Sequence, residues 1–156
     1  MIWRGEKHDM ASPVDKQEIV VYLASHYSRK NEVRKAAKEL TDLGIIVSSS
    51  WFHEPYNPKG SLWDTSDAAK RRIAKKDLAE LSRATHFVLF SVDPDLKFTR
   101  GGHCYEDGWS ARDGHAKIVV GPRQHIFHYL PGTKRVDTWE QAKRWLLRER
   151  KRLGSV

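Results

Sequence analysis

The feature that most constrains the fold is a regular alternation between short apolar runs and longer segments with helical periodicity. The apolar runs are rich in β-branched residues and are predicted as strands. They lie at residues 18–24, 45–51, 86–92 and 116–120, with a short fifth strand near 135–136. Because most of these runs are nearly continuous, we expect both faces of the sheet to be buried. The pattern predicts an α/β protein: a flavodoxin-like or Rossmann-like three-layer sandwich around a parallel sheet of four or five strands.

The segments between these runs carry helix signals. A helix over about residues 30–43 places its apolar side chains on one face. Thr65 or Ser66 can cap the next helix, and a pair of glycines after the third strand opens another. Thr138 and Gln141 belong to a capping box that starts the last helix. Strands therefore alternate with helices along the chain, as a parallel sheet with two covered faces requires.

Length and composition fit one globular domain. Of the 156 residues, 39% are hydrophobic, and we expect a loose N-terminal arm at 1–17 followed by a single domain over 18–156. No apolar stretch is long enough for a membrane span, and the N-terminus lacks the apolar core of a signal peptide. Cys104 is the single cysteine, which excludes an internal disulfide and predicts a reducing, cytoplasmic location.

The formal net charge of +8 favours partners that carry phosphate. Much of the excess lies at 70–76 and at 143–152, both on predicted helices. Two interpretations stay open, namely solvated helix faces or a surface for DNA or RNA. The sequence carries no zinc spacing and no signature of a nucleic-acid-binding module, so nothing else in it supports the second.

Candidate chemistry is concentrated after the third strand, in the run from Arg100 to Trp109. In open α/β sheets, ligands bind at the carboxyl ends of the strands near a topological switch point. Glycines there let the backbone approach a ligand, and a helix N-terminus favours an ionised carboxylate. Glu106, expected in or near the first turn, is therefore the strongest candidate for covalent attack on a sugar carbon. The alternative is a glutamate that only complements the helix dipole.

Other polar and aromatic residues are expected near the same edge of the sheet. Arg100 is either a surface arginine or a clamp for an anion such as phosphate. Asp93 is explained by turn chemistry but lies at the rim of the predicted cleft. Trp51, just before the long loop 52–64, can stack a nucleobase or pack that loop onto the domain. Asp77, judged by its spacing alone, is a solvated surface charge.

The histidines do not form a recognisable metal site. His103, His115, His125 and His128 match no zinc spacing, and Cys104 stands alone. The glycine pair lacks the third glycine of a dinucleotide fingerprint and does not follow the first strand. We therefore predict neither a metal nor an organic cofactor.

Several segments carry a resemblance to a known family. They are Val21 to Ser25 at the first strand, Asp77 with Leu78 before the third, Gly101 to Trp109, and later segments at 120–123 and 127–140. In these segments the chain resembles the nucleoside 2-deoxyribosyltransferase family, especially its small phage and bacterial members. It is also similar to the related deoxynucleoside monophosphate N-glycosidases.

The resemblance implies roles for three residues. Glu106 would attack the anomeric carbon of a 2'-deoxyribosyl group and form a covalent glycosyl-enzyme, from which another base or water releases the sugar with net retention. Asp77 would orient or protonate the base, and Tyr22 would hold the nucleophile. The residues predicted to bind the substrate are Ser25, Trp51, Asp93, Arg100, Gly101, Gly102 and His103.

Two positions depart from the family pattern. Arg100 stands where transferases often have an aspartate and the monophosphate hydrolases a small hydroxyl residue, which favours a 5'-monophosphate or a modified nucleotide. Asp107 replaces a more usual apolar residue and adds a second charge, expected on the other side of the helix. In this family a neighbouring subunit often completes the site, so we expect a homodimer or a higher oligomer.

Two other functions stay open at this point. The departures at Arg100 and Asp107 also fit a nucleotide-binding module that has kept the fold and lost the chemistry. A basic DNA- or RNA-binding protein is the third possibility, and its affinity for long nucleic acid would fall steeply with salt.

Overall fold

A computed structural model of the chain describes residues 18–54, 66–95 and 101–154. Its strands are β1 (Val20–Ser25), β2 (Ile46–Val47), β3 (His86–Phe90), β4 (Ala116–Val120) and β5 (Thr133–Val136). Its α-helices are α1 (Lys30–Asp42), α2 (Asp67–Ser82), α3 (Gly102–Arg112) and α4 (Trp139–Leu153). Among the described helices, none is both long and apolar enough to cross a bilayer. The predicted arm at 1–17 lies outside the described residues.

The five strands form one parallel sheet in the order β2-β1-β3-β4-β5. Helices α1 and α4 pack on one face, where the Trp139 indole donates to the Glu39 carboxylate at 2.8 Å, and α2 and α3 cover the other. The predicted fold class is confirmed. From β1 the chain runs to β2 on one side and then crosses to β3 on the other, so the switch point lies between β1 and β3.

Strands β1 and β3 form the centre of the core. All five residues of β3 and the first five of β1 are buried, because helices cover both faces of this part of the sheet. The ring of Tyr22 stacks on the ring of Phe87 in the neighbouring strand, with centroids 6.1 Å apart. This packing fixes the orientation of the Tyr22 ring inside the domain.

Strand β2 is shorter than the sequence predicts. The expected strand covered 45–51, but only Ile46–Val47 pairs with β1. Beyond it, the Ser49 hydroxyl accepts the amide of Leu23 at 3.0 Å, in place of a strand-to-strand backbone bond. Short hydroxyl side chains that bond to backbone compete with a sheet ladder, so the chain leaves the sheet edge and enters a 3-10 turn at Trp51–His53.

Two predicted helix starts act as caps. The Thr138 hydroxyl accepts the amide of Gln141, and the Gln141 side chain accepts the amide of Thr138, so the capping box is confirmed. The Ser66 hydroxyl caps α2 through the amide of Ala69 at 3.2 Å. The other candidate cap, Thr65, lies outside the described residues. These caps satisfy amides that have no partner within the helix.

Helix α3 begins behind a left-handed glycine. Gly101 has a φ of 75°, a conformation that glycine adopts without steric cost, and the helix starts at Gly102. Glu106 is therefore the fifth residue of α3 and lies in its second turn. It was expected in or near the first turn, and it lies just beyond that turn.

Two glycine substitutions in this region should have opposite effects. Gly101→Ala should lower the free energy of unfolding by about 1 kcal/mol, because the left-handed backbone strains an L side chain. Gly108→Ala should raise it by up to about 1 kcal/mol, because Gly108 lies inside the helix. At both positions the added methyl meets no described atom within 4 Å, so backbone conformation alone decides the sign. Urea unfolding followed by circular dichroism measures both; effects of the same sign would contradict this account.

Candidate active site

Helix α3 and strand β1 bring Glu106 and Tyr22 together. The Tyr22 hydroxyl donates to Oε1 of Glu106 at 2.7 Å, a normal length for an O–H···O hydrogen bond. Tyr22 is fully buried and its ring is held by stacking, so the donor is fixed in place. The Glu106 side chain is half-buried, and its carboxyl group is directed at the sheet rather than into bulk solvent.

Glu106 is harder to ionise than an ordinary glutamate. Burial, together with the negative charges of Asp77 and Glu80, raises its pKa to about 8, although the Tyr22 hydrogen bond works in the opposite direction. This rise in pKa opposes the ionised form that a helix N-terminus favours, and the dipole effect is weaker beyond the first turn. Burial and the charge of Glu106 also raise the pKa of Tyr22, so the phenol stays protonated and remains a donor.

Asp77 is not the solvated charge that its spacing predicts. Its side chain is 19% exposed, and its Oδ1 atom is buried without a hydrogen-bond partner among the described residues. Burial raises the pKa of Asp77 to about 7; the Lys76 ammonium, 3.8 Å away, opposes this rise, whereas the charges of Glu54 and Glu80 add to it. Near neutral pH, this carboxyl can therefore hold a proton and donate it.

A polar network beside Asp77 was missed by the sequence analysis. Glu80 is buried and accepts both the amide of Ser50, at 2.9 Å, and its hydroxyl, at 2.6 Å. Lys76 donates to the Ser50 hydroxyl at 3.0 Å and forms an ion pair with Glu54. The network fixes the start of the long loop onto α2. Helical spacing puts Lys76 and Glu80 on one face, but nothing local identifies Ser50 as their partner.

Two of the residues predicted to bind the substrate lie near the carboxyl end of the central strands. The Ser25 hydroxyl donates to the carbonyl of Phe90 at 2.8 Å, which joins the ends of β1 and β3. His103, in the first turn of α3, is buried, and its Nε2 atom lies 3.3 Å from the side-chain nitrogen of Gln124. The ring of His26 meets that of His103 edge-on at 6.2 Å. Burial lowers the pKa of His103, which favours a neutral imidazole.

Three other predicted substrate contacts have different settings. Trp51 is only 7% exposed, and its indole donates to the carbonyl of Leu23 at 2.8 Å. It therefore packs the start of the loop onto β1. Its stacking on a nucleobase stays a prediction. Asp93 is exposed and accepts the amide of Asp95 at 2.9 Å, as turn chemistry predicts. Arg100 lies outside the described residues.

Asp107 faces away from Tyr22 and towards β4. It forms a buried ion pair in which Nζ of Lys117 lies 2.6 Å from Oδ1. The Nε2 atoms of His125 and His128 lie 3.5 Å and 3.4 Å from Oδ2. Burial by itself would raise the pKa of Asp107, but His128 and Lys117 outweigh it and hold the pKa below its usual value. The second charge on α3 is thus neutralised inside the protein.

The same side chains are close enough together for a metal ion. The ligand atoms of Asp107, His125 and His128 all lie within 4.8 Å of one another. Two observations favour a different arrangement. Lys117 already neutralises the carboxylate, and Nδ1 of His128 accepts the amide of Gln124 at 3.2 Å, which leaves the ring proton on Nε2. A metal ion would need Nε2 of His128 to be unprotonated. We therefore infer that the Lys117 ammonium, and not a metal ion, neutralises the carboxylate in this cluster.

Comparisons with known proteins show one distant structural similarity and no match in sequence. No family profile matches the sequence, and no curated protein matches it. A solved structure described as "Structure of Clostridium botulinum CMP N-glycosidase, BcmB" is 16% identical, with a TM-score of 0.47, over 81% of this chain and 97% of that chain. At this level of similarity, the functional interpretation depends on the geometry of the site itself.

The hydrogen bond from Tyr22 should be visible in the titration of Glu106. In Tyr22→Phe the pKa of Glu106 should move upward from about 8, by about 1 pH unit, because the bond that favours the charged carboxylate is lost. Carbon-13 NMR of labelled glutamate side chains, with Glu106→Gln for assignment, measures this shift. Tyr105→Phe is the matched control, since Tyr105 is 60% exposed on the same helix; an unchanged titration in Tyr22→Phe would contradict the proposed contact.

Proposed function

We propose that the protein cleaves or transfers the N-glycosidic bond of 2'-deoxynucleosides or their 5'-monophosphates. The observation that carries the proposal is the carboxyl group of Glu106, held at 2.7 Å by the buried hydroxyl of Tyr22 and coupled by charge to a second carboxyl, Asp77. Glycoside chemistry uses such a pair, one group as nucleophile and the other as acid. The sequence resemblance supports the same residues in the same roles.

The proposed reaction has two displacements. A carboxylate oxygen of Glu106 attacks C1' from the face opposite the base; as the new C–O bond forms, the C1'–N bond breaks and its electron pair leaves with the base, which takes a proton from Asp77. Water or a nitrogen of another base then attacks C1', and the bond to Glu106 breaks. The proton lost by the attacking group returns to Asp77. Two inversions give net retention at C1'.

This chemistry needs Glu106 ionised and Asp77 protonated at the same time. Their pKa values of about 8 and about 7 place both titrations near neutral pH, where neighbouring carboxyl groups titrate as a pair. The hydroxyl of Tyr22 stabilises a charge on Glu106, whereas the Lys76 ammonium, 3.8 Å from Oδ1 of Asp77, stabilises a charge on Asp77. Because the pKa of Glu106 is the higher of the two, only a minor fraction of the protein has Glu106 ionised and Asp77 protonated, and that fraction is largest near about pH 7.5.

A 5'-phosphate on the substrate fits the start of α3. The first amides of the helix have no partner within it and attract an anion, and the left-handed turn at Gly101 leads directly into them. His26 and His103 lie beside this turn, and Arg100 precedes it in the sequence. These features favour a 5'-monophosphate over a plain nucleoside.

A second copy of the chain is the proposed protein partner. The segment after β4 exposes several large apolar side chains beside a cavity of about 770 Å³ that α3 also lines. They are Ile126, Phe127, Tyr129 and Leu130. Clustered exposed apolar groups are typical of interaction surfaces, and they support a homodimer or a higher oligomer.

Glu106→Gln should abolish base release. We expect kcat to fall by at least about a thousandfold, because an amide cannot act as the nucleophile, while the amide oxygen can still accept the Tyr22 hydrogen bond and preserve the fold. The assay is mass spectrometry of free base released from a panel of deoxynucleosides and their 5'-monophosphates. Mass spectrometry of rapidly quenched wild-type protein should also show a deoxyribosyl adduct.

The matched control is Glu140→Gln, an exposed glutamate in the first turn of α4, which should keep wild-type turnover. Wild-type turnover in Glu106→Gln would sink the proposed mechanism. Tight nucleotide binding by the wild-type protein without any base release would instead favour the inactive binding module.

The rate should depend on pH through both carboxyl groups. With substrate below saturation, kcat/KM should rise with pH as Glu106 ionises and fall as Asp77 loses its proton, giving a bell with a maximum near about pH 7.5. Asp77→Asn should remove the alkaline limb and lower the rate by about 10²–10⁴-fold. Steady-state kinetics from pH 5 to 10 tests this, and a flat wild-type profile would exclude these two roles.

A further inference from the structure

A groove lined by cations lies between the edge strand β5 and helix α4, on the face of the sheet opposite α3. Its cavity has a volume of about 380 Å³, within the range of small-molecule sites. We call it the basic groove and define it by the polar and aromatic residues of β5 and α4 that line it. They are Lys134, Arg135, Gln141, Arg144, Trp145 and Arg148.

Three cations in the basic groove have no neutralising partner. Lys134, Arg144 and Arg148 make no hydrogen bond or ion pair with any residue in the described ranges. Arg135 differs, because it pairs with Asp137 at 2.6 Å. Like charges that converge on one concave surface repel one another and attract an anion.

Other basic residues of α4, outside the basic groove, have acidic partners. Lys143 pairs with Glu39 at 2.8 Å and with Glu140 at 2.6 Å, and Arg152 pairs with Glu149 at 2.8 Å. Lys143 and Arg152, which lie away from the groove, are therefore neutralised by acidic residues of α1 or of α4 itself. If α4 were only a solvated helix face, there would be no reason for the cations in the basic groove to lack the acidic partners that Lys143 and Arg152 have.

We propose that the basic groove binds the phosphate groups of a ligand, at a site separate from the proposed active site. Arg144 and Arg148 lie one helical turn apart on the same side of α4, and Lys134 faces them from β5. Guanidinium groups match phosphate oxygens with paired N–H donors. Phosphate of this kind comes from two sources: a free polyphosphate or nucleotide, or the backbone of a nucleic acid.

The test measures binding of two phosphate probes to the full chain. Fluorescence anisotropy follows a labelled single-stranded DNA of about 12 nucleotides, and calorimetry follows tripolyphosphate, both at ~50 mM salt. In Arg144→Gln/Arg148→Gln, we expect affinity for the bound probe to fall by about tenfold or more. Three phosphate contacts predict a slope of about −2 for log affinity of the DNA against log salt. Binding of tripolyphosphate identifies a free ligand, and binding of DNA alone identifies a nucleic acid backbone. Either result supports the site when the groove variant loses that affinity and the control variant below does not.

The matched control removes the same charge from the other face of the sheet. Arg71→Gln/Arg72→Gln, on the exposed side of α2, should change affinity by no more than about twofold. Equal losses in the two double variants would show a general charge effect and overturn the site, as would failure of both probes to bind. Lys134→Gln provides a second groove variant if the arginine pair is needed for folding. Base release by all groove variants should stay at the wild-type level, so this test is independent of the proposed catalysis.

Discussion

The burial of β1 is the constraint on which the rest of the molecule depends. The strand lies between β2 and β3 with helices on both faces, so no water reaches its interior side chains. A phenol hydroxyl in that setting needs a hydrogen-bond partner inside the protein, and Glu106 is that partner for Tyr22. One buried tyrosine thus determines where the carboxyl group on α3 lies and which way it points.

The same burial works against the charge that the proposed chemistry needs. Burial, together with the nearby charge of Glu80, raises the pKa of Glu106 and of Asp77, so that both groups titrate near neutral pH instead of near pH 4. Because the pKa values in the folded state exceed those of the unfolded chain, the native state loses stability as pH rises from about 4 to about 8. Functional sites commonly carry such a cost in stability. Substitutions that remove these carboxyl groups would stabilise the fold and also remove the proposed activity.

The parts of the fold that local sequence specifies were the predictable ones. The parallel sheet follows from apolar runs that alternate with amphipathic segments, and the cap at Thr138 follows from four consecutive residues. The early end of β2 was not predictable, because it depends on the bond from the Leu23 amide to Ser49, a contact distant in sequence. The burial of Asp77 was missed for a related reason: helical spacing defines a face but does not reveal what covers it.

The site shows the same division between local and distant information. The resemblance implied the association of Tyr22 with Glu106, and the structure brings the two side chains into contact.

Helix α3 carries two consecutive carboxyl groups that bond in different directions, Glu106 to Tyr22 in β1 and Asp107 to Lys117 in β4. Rotation of α3 about its own axis would break one of these buried contacts, so the two contacts together fix which face of the helix points to the sheet. The position of the proposed nucleophile therefore depends in part on the ion pair between Asp107 and Lys117, and displacements of about an ångström at such a group decide reactivity.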